Sequence, residues 1–137
     1  MNLLLIKAIS DFARERGIEF RSGFTNQMTL SKLAFPLIWL EPLVLTGKRG
    51  RKEVRSNYRV KLHLLELDRN FPQQEKDEVW NSLADRLVEL HDTLGEHPQV
   101  IAIRNLECRP DQTRWTNYGE LSVTASFEAE TLFCRVG

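Results

Sequence analysis

The first stretch of the chain shows apolar residues at helical spacing. Leu5, Ile9 and Phe12 follow one another at intervals of four and three residues, while charged residues occupy the opposite side. This pattern predicts an amphipathic helix over residues 1–16. Gly17 comes directly after it and suits a helix end, because glycine adopts positive φ without strain.

A second and longer helical stripe covers residues 73–94, with Gly95 as its expected end. Its apolar members are Val79, Trp80, Leu83, Leu87, Leu90 and Leu94. The opposite side is polar and largely acidic, and it carries Asp77, Asn81, Asp85, Glu89 and Asp92. The pattern predicts a helix that buries one side and exposes a row of carboxylates.

Two other stretches alternate between apolar and polar residues and predict half-buried strands. Their apolar positions are Tyr58, Val60, Leu62 and Leu64 in the first, and Leu121, Val123, Ala125 and Phe127 in the second. His63 falls among the polar positions of the first strand, so we expect it to be exposed. Leu65 breaks the alternation and predicts a bulge or a strand end.

The apolar run 35–45 contains two prolines. Pro36 suits a strand start and Pro42 suits a bulge or an edge, since proline cannot donate to a ladder. Residues 46–57 then predict a charged hairpin loop that is longer than a tight turn needs. Residues 21–32 predict no regular structure, and residues 110–118 predict a connecting loop. For the apolar segment 100–106 the pattern does not decide between a helix and a strand.

The order of these elements predicts the fold class. A helix, two strands, a helix and one or two further strands, without internal repeats, indicate a single α+β domain over residues 1–137. We expect an antiparallel sheet of about four strands, with the two main helices packed on one face.

Composition narrows the class of protein further. The 137 residues include 19 Lys and Arg against 19 Asp and Glu, so the formal net charge is zero. Neutrality argues against nucleic-acid binding by the whole molecule, because such proteins usually carry a visible positive excess. No apolar stretch approaches the ~20 residues that span a bilayer. The two cysteines are too few for a disulfide framework, so we expect a soluble, reduced, intracellularly made domain without a membrane partner.

Residues with catalytic potential are sparse in the sequence. His63, His91 and His97 show no metal-ligand spacing, and no nucleophile-elbow, phosphate-loop or dinucleotide-binding motif occurs. Asp85 and Glu89 are four residues apart, but on a polar helix face such pairs are more often solvated charge than an acid/base pair. The sequence therefore predicts no enzyme activity, no metal and no cofactor.

The most unusual segment is basic. Residues 48–55 contain five basic residues and one acid, and the basic ones are Lys48, Arg49, Arg51, Lys52 and Arg55. Two interpretations stay open: a solvated hairpin tip, or a docking site for an acidic protein surface or a phosphate backbone. Trp115 lies in a polar loop and is a further candidate interface anchor.

The layout as a whole resembles the tail terminator proteins of long-tailed bacteriophages, the lambda-like members among them. The resemblance covers residues 1–133 and rests on the helix, the Phe35-Pro36-Leu37 strand start, the charged hairpin, the long helix after Phe71-Pro72 and the closing strand that begins at Gly119. It implies a non-enzymatic ring, typically a hexamer, that caps the tail tube, stops its polymerisation and joins it to the head. Related neck and head-completion proteins share this plan.

The resemblance also implies partners and a place in the cell. The partners are further copies of the chain, the tail-tube protein and the head-completion protein, with DNA only passing through the ring lumen. The protein would reside at the head–tail junction of the virion, and in the host cytoplasm during assembly. Two other function classes stay open: a nucleic-acid-binding module that uses residues 48–55, and a small enzyme or ligand-binding domain.

Our candidate ring contact pairs the basic segment of one subunit with an acidic helix face of the next. The basic segment is residues 48–55, and the acidic face comprises Asp85, Glu89 and Asp92 of the second helix. With few apolar residues to hold it down, the basic segment is expected to be mobile in the isolated subunit.

Overall fold

The structure is a computed structural model that describes residues 3–112 and 114–134. The helices are α1 (Leu3–Glu15), a short 3₁₀ helix (Thr25–Leu30) and α2 (Gln73–Gly95). The strands are β1 (Glu19–Ser22), β2 (Leu37–Leu40), β3 (Val44–Arg49), β4 (Glu53–Leu67), β5 (Val100–Pro110) and β6 (Glu120–Cys134). The predicted α+β class is confirmed. Met1 and Asn2, which the predicted first helix includes, lie outside the described residues.

One six-stranded sheet forms the centre of the fold, in the order β1-β2-β4-β6-β5, with β3 paired to the first part of β4. β1 runs parallel to β2, whereas the other pairs are antiparallel. The expectation of about four strands is therefore wrong in number, and the expected antiparallel direction is wrong only for the β1–β2 pair. β1 and β3 were missed because they are mostly exposed, and periodicity in a sequence reports burial rather than backbone pairing.

Both long helices cover the same face of the sheet, as predicted. One cluster of buried side chains joins α1, α2 and the apolar positions of β4 and β6. Leu83, Leu87, Leu90 and Leu94 are the buried members of α2. Because every second residue of β4 and β6 points to this face, the alternation in the sequence identified it correctly.

The opposite face of the sheet carries a second, smaller core. Met28 of the 3₁₀ helix packs there with Leu33, Leu37, Trp39 and Leu65. β4 is buried on both faces at this point, so two adjacent leucines are required, and its pairing with β6 runs without a shift from Glu53 to Leu67. The bulge predicted at Leu65 is therefore wrong.

The basic segment is a tight hairpin, so the prediction of a long hairpin loop is wrong. β3 ends at Arg49, β4 begins at Glu53, and Arg49 lies opposite Arg55 in the ladder. Gly50 makes the turn at φ +95°, where an added Cβ would collide with the carbonyl oxygen of Glu53. Backbone pairing between β3 and β4 holds the residues on both sides of the turn. The charged side chains therefore extend outward from paired strands and not from a loop.

Candidate functional site

Residues 44–57 form one end of the sheet, and we call this segment the basic hairpin. All six residues of β3 are exposed, including the apolar Val44 (48%) and Leu45 (53%). Among the described strands β3 pairs only with β4, so its other edge presents unpaired backbone groups. An exposed edge strand with apolar side chains is a surface suited to contact with another chain.

The cations of the basic hairpin are only partly neutralised. Arg49 reaches Glu130 at 3.8 Å, and Arg104 of β5 approaches the same carboxylate at 3.5 Å. The described part of the chain offers no ion-pair partner to the other four cations, which are Lys48, Arg51, Lys52 and Arg55. Arg49 and Arg55 lie directly opposite each other, a like-charge arrangement that disfavours the isolated strand pair.

The predicted acidic face of α2 is less free than the sequence suggests. Glu89 is hydrogen-bonded by Arg16, 2.7 Å away, and by Arg86 at 3.1 Å, and these contacts lower the pKa of its carboxyl group. Asp92 is 68% exposed beside His91, and Asp85 is exposed. Within the described residues no ion pair links this face to the basic hairpin. The two candidate surfaces are thus separate in one subunit.

Trp115 packs onto its own domain. It is half-buried, its ring lies 4.7 Å from the ring of His63, and its Nε1 donates to Asp111 at 3.2 Å. It also borders the smaller core that contains Trp39. The structure therefore gives Trp115 an intramolecular role, and its role toward a partner stays a prediction.

His63 lies at the centre of a polar cluster that the sequence did not reveal. The ring is fully buried, so the prediction of an exposed histidine is wrong. Its Nε2 lies 2.6 Å from Oε2 of Glu41, and its Nδ1 lies 2.7 Å from Oγ1 of Thr124. Burial lowers the pKa of His63, against the opposing hydrogen bond and negative charge of Glu41. Glu41, His63 and Thr124 lie on three separate segments, so no spacing in the sequence signals the cluster.

A buried carboxylate organises the loop that carries Trp115. Glu120 is 4% exposed and accepts hydrogen bonds from the backbone N–H groups of Trp115 and Thr116. It also accepts one from the Thr116 hydroxyl at 2.8 Å. The sequence offers no indication of this role, because Glu120 reads only as the start of the last strand.

We expect Glu120→Ala to destabilise the protein by about 1–3 kcal/mol, since the substitution leaves buried donors without an acceptor. Urea unfolding monitored by circular dichroism measures this change. Glu107→Ala is a matched control, because Glu107 is 52% exposed, and it should change stability by less than about 0.5 kcal/mol. Equal effects of the two substitutions would contradict the role assigned to Glu120.

Other features bear on chemistry and on membranes. Across residues 3–112 and 114–134, no group of three or more His, Cys, Asp and Glu side chains is placed to hold a metal ion. Burial raises the pKa of the half-buried Cys108 thiol, which disfavours the nucleophilic thiolate. None of the described helices has the length and apolar character needed to cross a bilayer.

Comparison with known proteins identifies no family. No family model matches the chain, and no curated protein matches it. Among solved structures, the chain is similar to the core region of PilO from the type IV pilus system of Pseudomonas aeruginosa, with a TM-score of 0.41 and 9% sequence identity. That likeness covers 73% of this chain and 81% of the other.

Proposed function

We propose that this protein is a non-enzymatic assembly subunit of the tail-terminator type. Copies of the chain would close into a ring, with a hexamer as the expected size, that caps a phage tail tube and ends its polymerisation. The ring would then contact the head-completion protein, and DNA would pass through its lumen. The observation that carries this proposal is the basic hairpin, whose edge strand β3 is exposed at every residue.

An exposed edge strand favours assembly for a physical reason. Its unpaired N–H and C=O groups can pair with another chain, and the exposed Val44 and Leu45 would gain from leaving water. The hairpin occupies one end of the sheet, whereas α2 covers a face. A contact between two such different surfaces is heterologous, and heterologous contacts form rings when their rotation closes.

The charge distribution supports contact between copies of this chain. The formal net charge is zero, yet residues 48–55 contain five cations and one carboxylate, a local charge of +4. α2 contains six carboxylates and two cations, a local charge of −4. Opposite surfaces that do not meet within one subunit can meet between neighbours. Such complementarity mainly sets orientation and register.

A nucleic-acid-binding module is the second candidate function, and one feature favours it. Lys48, Arg49, Arg55 and Arg104 line a cavity of about 250 Å³ on the sheet face opposite α1 and α2, with Glu130 as the carboxylate there. A phosphate group would relieve the repulsion between these cations. A neck or head-completion role of the same fold would use the surfaces of the first proposal.

The concentration dependence of self-association tests the proposal. We expect monomers at low concentration and closed rings at high concentration, because mass action fills a weak interface. Sedimentation velocity and negative-stain electron microscopy of the purified protein measure this. A monomer at every concentration, combined with tight and strongly salt-dependent binding of duplex DNA, would instead favour the nucleic-acid-binding module.

Deletion of the gene from its phage should give tails of uncontrolled length, and normal virions would contradict the terminator role.

A further inference from the structure

A chain of hydrogen bonds crosses the sheet face opposite the two long helices. It runs from Glu41, in the connection between β2 and β3, through His63 of β4 and Thr124 of β6 to Asp111, just after β5. The successive distances are 2.6 Å, 2.7 Å and 2.7–2.8 Å. Each is a short hydrogen-bond distance, so each requires a proton between its two atoms.

With a neutral His63 ring and two ionised carboxylates, the cluster has one proton fewer than it has hydrogen-bond contacts. A neutral imidazole has one N–H, the Thr124 hydroxyl has one O–H, and ionised carboxylates have none. Three contacts therefore share two protons unless the cluster binds a third. Asp111 is the acceptor end of the chain, because it also receives hydrogen bonds from Ser122 at 2.8 Å and from Trp115 at 3.2 Å.

Because Asp111 accepts, the directions of the other hydrogen bonds in the chain follow. Thr124 donates its proton to Asp111, so its oxygen accepts from Nδ1 of His63. The only N–H of a neutral ring is then used, and Nε2 faces Glu41 at 2.6 Å with a lone pair. Two lone pairs at this distance repel each other. The missing proton therefore belongs between Glu41 and His63.

We propose that Glu41 and His63 together hold one shared proton at neutral pH, which makes the stability of the fold fall as pH rises. The proton belongs to the pair and not to either residue alone. Its loss leaves repelling lone pairs beneath the connection that leads into the basic hairpin. The cluster also anchors the loop of Trp115 through Asp111, so the device links protonation to two surface segments.

The other groups around the ring set the balance. Burial lowers the pKa of His63 and so favours a neutral ring, whereas Glu41 and Asp111 raise it and Lys61 lowers it. Lys61 also lies 3.9 Å from Glu41, but its side chain is 52% exposed, so solvent screens this contact. The Trp115 ring lies 4.7 Å from the fully buried His63 ring, whereas 24% of the Glu41 side chain is exposed. The histidine end of the pair is therefore the end that is shielded from water.

The sign of the pH dependence of stability shows whether the Glu41–His63 pair holds the extra proton or lacks it. Unfolded Glu and His side chains titrate near about 4.3 and 6.5. With a shared proton, the folded protein binds one proton more than the unfolded chain above pH ~6.5, so stability falls as pH rises. Without it, the lowered pKa of His63 makes the folded protein bind fewer protons below pH ~6.5, so stability falls as pH falls.

The Glu41→Gln substitution converts the first case into the second. The glutamine amide can donate directly to Nε2 of His63, so the hydrogen bond persists without the extra proton. We expect the ratio of the wild-type to the Glu41→Gln unfolding constant to rise by up to about tenfold per pH unit above pH ~6.5, for as long as the pair keeps its proton. Urea unfolding at a series of pH values measures this ratio, in which contributions from the unchanged rest of the chain cancel.

Glu107→Gln is the matched control, because Glu107 is an exposed acid. The ratio of the wild-type to the Glu107→Gln unfolding constant should be independent of pH. Nitrogen NMR of His63 in the wild-type protein tests the proposal without any substitution. A proton on Nδ1 together with a second proton shared between Nε2 and Glu41 near neutral pH supports it. Two results would overturn the proposal. One is a His63 ring protonated only on Nε2, and the other is a ratio of the wild-type to the Glu41→Gln unfolding constant that does not change with pH. Both measurements are made at a protein concentration at which sedimentation velocity shows monomers, so their outcome is separate from that of the proposed function.

Discussion

Replacing Leu87 with alanine is expected to lower the free energy of unfolding by about 2–5 kcal/mol. Leu87 is 1% exposed and lies at the middle of the buried stripe of α2. The cluster around it includes side chains of α1, β4 and β6, so the elements on every side are packed and can close only part of the cavity. Chemical denaturation measures the change.

The neighbouring residue gives a matched control for this substitution. Val88 is 41% exposed on the same helix, so Val88→Ala should change stability by less than about 0.5 kcal/mol. Leu87→Met keeps most of the volume and should cost less than about 1.5 kcal/mol. A small effect of Leu87→Ala would mean that α2 does not pack on the sheet with this face.

Reversing two charges at the turn of the basic hairpin is expected to weaken self-association at least about 100-fold, since like charges brought together across an interface cost several kcal/mol. The variant is Arg51→Glu with Lys52→Glu. Both residues are exposed and lie between β3 and β4, outside the ladder, so the fold should be retained. Sedimentation velocity measures the association, and circular dichroism checks the fold.

Two further variants separate a local effect from a change in net charge. Lys32→Glu with Arg69→Glu changes the net charge by the same amount at exposed positions outside the hairpin, and it should leave association nearly unchanged. Asp85→Lys with Asp92→Lys, added to the hairpin variant, should restore association if α2 is the partner surface. Without such restoration the hairpin would have a different partner. Unchanged association in the hairpin variant itself would remove the basic hairpin from the ring contact.

Hydrophobic spacing was sufficient to predict the elements that bury one side against the main core. Leu83, Leu87 and Leu90 predicted the buried face of α2, and Val60 and Phe127 predicted the helix-covered face of the sheet. This succeeds because burial of one side imposes a period of 3.6 residues on a helix and of two on a strand. The α+β class follows from the order of these elements.

Backbone pairing without burial left no such trace in the sequence. β3 is exposed at all six residues, so its charged end read as a loop although backbone hydrogen bonds hold it against β4. β1 is short and mostly exposed, and its parallel pairing with β2 spans a connection that contains the 3₁₀ helix. Ladder hydrogen bonds are made by the backbone, which every residue carries, so side-chain patterns do not report them.

The sequence by itself determined the main core, the order of the principal elements, and the concentration of basic residues in one segment and of acidic residues on one helix. Tertiary structure alone decided that His63 is buried and that Glu41 and Asp111, distant along the chain, belong to one hydrogen-bonded cluster with it. Local periodicity shows which side of an element avoids water. Only the packing of connections over the second sheet face determines which polar side chains water no longer reaches.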